Sequence, residues 1–124
     1  MTDNNTATTE QDTTVPRFNV HTVSFDPLPE YNGHQAWLYK SADGKRRVGS
    51  FKEAGQYTVP MENDEFFYVI AGSSKVSVEG GESFTLTAGD CVYFRKGQTV
   101  HFDHASDFHD VAVLMSYDDE NTTA

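Results

Sequence analysis

Several things are scarce in this 124-residue chain, and each absence excludes something. There is one cysteine, Cys91, so no internal disulfide can form, and the residue reads as an inert, buried thiol in a reducing compartment. No apolar run approaches the roughly 18 residues that a membrane-spanning helix needs. The first residues lack the basic-then-apolar pattern of a secretory signal, which predicts a cytoplasmic protein. Basic residues are few: nine Lys and Arg stand against 19 Asp and Glu, for a net charge of −10. An acidic surface repels phosphate backbones and anionic membranes, so neither a nucleic acid nor a membrane is an expected partner. No CxxC pair, phosphate-cradling glycine loop or nucleophile elbow is present.

The charge is unevenly placed. Six acids (Asp3, Glu10, Asp12, Asp118, Asp119, Glu120) lie in two tails without Lys or Arg, leaving nine bases against 13 acids over 16–117. Residues 1–15, with six Thr and no aromatic, read as a disordered N-terminal arm. The stretch 118–124 reads as a disordered acidic tail. Between them lies one domain, 16–117, with enough Phe and Tyr for a single core.

Within that domain short β-prone runs alternate with turn residues. Strands are predicted over 18–24, 35–40, 46–52, 56–59, 65–71, 75–78, 83–87, 91–94, 99–103 and 108–116. Turns fall at Ala42-Asp43-Gly44, Gly72-Ser73-Ser74, Gly80-Gly81, Gly89-Asp90 and Lys96-Gly97. No window of helical length carries an apolar stripe at 3.6-residue spacing. Many short strands at turn intervals of about 8–12 residues specify an all-β double-sheet barrel or sandwich.

The stretch from Glu65 to Gly72, followed by Gly81 and by Phe84-Thr85-Leu86-Thr87-Ala88-Gly89-Asp90, resembles the cupin family of jelly-roll barrels. Glu65 and Gly72 match the Glu-to-Gly spacing of the family's first motif, and Gly89 and Gly97 fill the glycine positions of its second. The block 49–55 and the Asp64-Glu65-Phe66 start are similar to the branch holding ureidoglycine aminohydrolase and the ethanolamine-utilisation cupins. The resemblance implies a pocket inside the barrel, and a homodimer joined through sheet edges.

The departures from the family pattern carry most of the functional information. At the two histidine positions before Glu65 stand Val59 and Met61, or Thr58 and Pro60 with the longer spacer. In the second motif Arg95 replaces Pro, Val100 replaces His, and His104 occupies the Asn position. Only Glu65 survives of the four expected metal ligands, which argues against the family's usual divalent cation.

Alternation along strands then puts Val59, Met61, Glu65 and Phe67 on one inward face, with Val100, Phe102 and His104 facing them. Trp37 and Tyr39, two apart, are assigned to one end of this cavity. Glu65 is the expected proton carrier, because a carboxyl in apolar surroundings has a raised pKa, and His104 is its partner. Arg95 is the candidate for meeting a substrate carboxylate. The cluster His101, Asp103, His104, Asp107, His109, Asp110 matches no compact ligand spacing and reads as a polar rim and loop.

Three readings stay open at this point. The first is a cofactor-free cupin acting on a small organic molecule by acid–base chemistry, as an isomerase, dehydratase, cyclase or lyase. The second is a metal-dependent hydrolase or lyase with a rearranged ligand set that includes Glu65 and His104. The third is a non-catalytic binding or sensor domain.

Overall fold

The computed structural model describes residues 13–117. The expected arm lies outside the described residues apart from 13–15, and the expected acidic tail lies wholly outside them. Among the described residues, no helix is long and apolar enough to cross a membrane.

Among the described residues, ten strands follow in chain order: β1 Asp26–Leu28, β2 Gly33–Lys40, β3 Arg46–Lys52, β4 Gly55–Pro60 and β5 Asp64–Ala71. Then come β6 Ser73–Val78, β7 Ser83–Thr87, β8 Cys91–Phe94, β9 Thr99–His104 and β10 His109–Met115. All pairs are antiparallel. They form a six-stranded sheet in the order β1-β2-β3-β10-β5-β8 and a four-stranded sheet in the order β4-β9-β6-β7. This is the jelly-roll arrangement of a cupin.

Period-2 alternation turns one apolar face of each sheet toward the other. Phe67 and Val69 of β5, Phe94 of β8 and Ala112 of β10 meet Val76, Leu86, Val100 and Phe102 across the interior. Phe108, 1% exposed, closes this core from the turn before β10. Its ring lies edge-on to Phe67 at 6.1 Å and flat on His104 at 4.3 Å.

Gly72 is the residue at which the chain leaves one sheet for the other. Its φ is +78°, and a Cβ there would lie 2.7 Å from the backbone of Asp107. Glycine alone combines that left-handed turn with that close approach. The turn is confined to this residue: Ser73 and Ser74, expected to share it, open β6 instead.

The run 18–24 also departs from expectation. Instead of a strand it forms a turn, in which Thr22 N and Val23 N donate to Asn19 O at 3.1 and 2.9 Å. His21 N donates to Asn19 Oδ1 at 2.8 Å. Asparagine offers this local alternative to a ladder, so the β-prone run yields to it. Phe25, just beyond, packs edge-on to His109 at 5.7 Å on the outer face of the larger sheet. There Ser50 donates to Asp110 O at 2.9 Å, which uses its only proton. The 2.9 Å contact between Ser50 Oγ and His109 Nε2 is therefore donated by the imidazole.

Candidate functional site

A cavity of about 450 Å³ opens between the sheets, within the size range of small-molecule sites. Its lining mixes aromatic and aliphatic side chains with several charged ones. Trp37 meets Phe51 edge-on at 5.2 Å, and Tyr31 meets Tyr57 at 4.9 Å. Tyr57 is held in place by donating to Ala54 O and by accepting from Asn32 Nδ2 at 3.3 Å.

Glu65 enters this cavity from β5. Its neighbours in register are Leu114 on one side and Phe94 on the other, so hydrocarbon replaces water around the carboxyl. Burial is the largest influence on its proton affinity and Glu53 adds to it, while Arg47 opposes both; the pKa rises from 4.5 to about 7. At neutral pH the group is divided between acid and carboxylate.

His104 enters from β9. Its Nδ1 lies 2.9 Å from Ser74 Oγ and its Nε2 lies 3.4 Å from Glu53 Oε1. Phe102 and Phe108 stack on its two faces at 5.0 and 4.3 Å. The polar partners of the imidazole are thus Glu53 and Ser74, whereas sequence reasoning assigned it to Glu65. The reversal follows from the sheet crossing at Gly72, which places Ser74 opposite His104.

Val59, Met61, Phe67, Phe102 and Trp37 all line the cavity, as do Glu65 and His104. Two expected wall residues do not. Val100, beside Val59 in register, has no exposed surface and is core. Tyr39 is carried to the opposite face from Trp37 by a bulge: Trp37 pairs with Gly49 but Tyr39 with Val48, leaving Leu38 over. Arg95 is exposed and is not among the lining residues; its backbone N donates to Gln98 Oε1 in the loop after β8. Cys91, expected to be buried, is exposed, because alternation on the edge strand β8 turns it outward with Tyr93.

Four charged residues that line the cavity were missed as site residues: Arg47, Glu53, Glu62 and Asp110. Arg47 and Glu53 share the parity of Phe51 along the β3 run, and Asp110 shares that of Ala112 and Leu114 on β10. Asp110 is 4% exposed, and burial pushes its carboxyl well above the ordinary range, with Glu53 and Glu65 adding to the effect. Parity from the apolar Ala112 finds it. A register slip against β5 lies between His109 and Asp110, and both residues are buried.

The positions where the resembled family holds a divalent ion can be tested by their donors. Val59, Met61 and Val100 are hydrocarbon or thioether, and Thr58 of the alternative spacing bonds His101 Nδ1 at 2.8 Å on the outer face. Among the described residues, no group of three or more His, Cys, Asp or Glu side chains converges as a cation requires. The residues present do not fit the family's ion.

A family model described as the EutQ-like cupin domain matches residues 41–109. No curated protein matches the chain in sequence. Among solved structures, the chain is similar to ethanolamine utilization protein Q from Salmonella typhimurium LT2, at 20% identity and a TM-score of 0.67 over 81% of this chain and 85% of that one. It is similar to the cupin domain of Schizosaccharomyces pombe Cnp3, at 13% identity and a TM-score of 0.70 over 86% and 78%. KdgF from Halomonas sp. is 16% identical, with a TM-score of 0.66 over 87% and 99%.

Proposed function

The chain belongs to the EutQ-like cupin family, and from that premise we propose a metal-independent pocket that binds a small organic molecule and moves a proton on it. The observation carrying this reading is Glu65: it is the one donor left at the family's ligand positions, and its desolvated carboxyl titrates near 7. A group of that pKa can both give and take a proton at neutral pH with little driving force lost. Glu65 is then the proton carrier, Trp37, Phe51 and Phe67 hold the molecule, and His104 with Glu53 orients it. Proton shifts, dehydrations, cyclisations and eliminations are the reactions open to such a site.

Metal content tests the reading directly. Protein purified without chelator should carry less than about a tenth of an equivalent of any transition metal, and its melting temperature should not change on chelation. Stoichiometric metal would defeat the reading.

Two copies would pair at the edge strand β8, beside which Tyr68 and Tyr93 stand exposed. Light scattering at micromolar concentration should return a dimer mass; a monomer mass removes the assignment.

A further inference from the structure

Two buried side-chain atoms of cavity-lining residues lack a hydrogen-bond partner among the described residues, Asp110 Oδ1 and Arg47 Nε, and Asp110 is the acceptor of the two. It lies on β10 between Phe51 and Val69 in register, and its Oδ1 has no hydrogen-bond partner among the described residues. Ser50 holds its backbone carbonyl from the opposite face, which fixes the direction of the side chain. Glu53 and Glu65 are close enough to act electrostatically on it, so three carboxyls share one space. Arg47 is the only Lys or Arg among the lining residues. A buried acceptor without a donor is costly. Burial with mutual repulsion holds the Glu65 and Asp110 carboxyls toward their protonated forms, so a positive charge seated among the three acids is favoured because it restores their charge.

We infer that this open acceptor marks the seat of a ligand's cationic nitrogen head with N–H donors: an ammonium, amidinium or guanidinium on a small, partly apolar body. Such a head supplies both things Asp110 lacks, a proton donor and a positive charge. Glu53 takes a second N–H, and the rings of Phe51 and Tyr57 favour a cation over their faces, as the Trp37 ring already does for Lys40 Nζ at 4.5 Å. An anionic head finds Arg47 alone to meet it and lies against the three acids, so it binds less well than a cation. A neutral hydroxyl can donate to Asp110 but brings no charge. This inference rests on the cavity being the binding site proposed above, and it narrows the ligand to amines and their relatives.

Benzylammonium, benzyl alcohol and benzoate share one ring and differ in head charge, and they are the probes. Trp37 is the single tryptophan and lines the cavity, so its fluorescence reports occupancy. Benzylammonium should bind about tenfold more tightly than benzyl alcohol, and benzoate more weakly than either. Asp110→Asn should weaken benzylammonium about tenfold and leave benzyl alcohol within about twofold. Glu53→Gln should weaken it in the same direction, and serves if Asp110→Asn does not fold. Benzoate binding as tightly as benzylammonium, or no saturable benzylammonium binding, overturns the inference. So does an unchanged benzylammonium affinity in the folded variants. Stoichiometric metal in protein that still selects benzylammonium would defeat the metal-independent reading and leave this one standing. Metal-free protein preferring benzoate would do the reverse.

Discussion

Glu65→Gln should stabilise the folded protein at pH 8 while abolishing its proton transfer. The carboxyl has a pKa near 4.5 when solvated and about 7 in the folded barrel. Between those values the folded chain keeps a proton that the unfolded chain has released. Stability from this group is therefore fully present below about pH 4.5, declines as pH rises, and is gone above about 7. The slope is about 1.4 kcal/mol per pH unit, so the window amounts to about 3 kcal/mol. Glutamine is neutral throughout and does not titrate. Its melting temperature should match wild type near pH 4.5 and exceed it at pH 8 by roughly 10 °C. Asp110 contributes a decline of the same sign in both proteins, so a residual slope should remain in the variant. Turnover by the variant should fall about 100-fold or more. Identical pH slopes in the two proteins would place Glu65 in water and remove it from the mechanism. Gain of stability with loss of activity is the expected mark of a charge held where folding does not favour it.

Most of the fold was legible because strand and turn chemistry are local. Nine of the ten predicted strands fall within two residues of those observed, from β2 to β10. The failures share a cause: each depends on an event that a period-2 count does not carry. Asn19 diverted one predicted strand into a turn by bonding its own neighbours. The bulge at Leu38 reversed Tyr39, whereas Asp110 shares the parity of Ala112 and was open to that count. His104 was placed on the correct face, but its partner comes from beyond a sheet crossing that parity says nothing about. Val59 and Val100 show the remaining limit. Both face inward and they are partners in register, yet only Val59, on the edge strand β4, lines the cavity, while Val100 on the inner strand β9 is core. Alternation gives the face and not the place in the sheet.

Phe108→Ala should be the most destabilising single substitution in the barrel, and should loosen the site as it does so. The ring is 1% exposed, stacks on His104 at 4.3 Å and an interplanar angle of 11°, and meets Phe67 edge-on. Its backbone carbonyl also accepts from Glu53 N at 3.3 Å, so the same residue braces the imidazole and the acid that faces it. Truncating a buried phenylalanine costs about 3–5 kcal/mol through lost burial and the cavity left behind. Against a total of about 5–15 kcal/mol, that should lower the melting temperature by more than about 10 °C. Phe108→Leu keeps most of the volume and should cost about 1–2 kcal/mol. Its effect on the site should nevertheless resemble that of alanine, because leucine has no flat face to hold the His104 ring parallel. Broadened His104 ring resonances in both variants, with a large melting difference between them, would separate the two roles of this residue. Sharp, unshifted resonances in Phe108→Leu would mean that Ser74 and Glu53 alone fix the imidazole, and that Phe108 serves only the core.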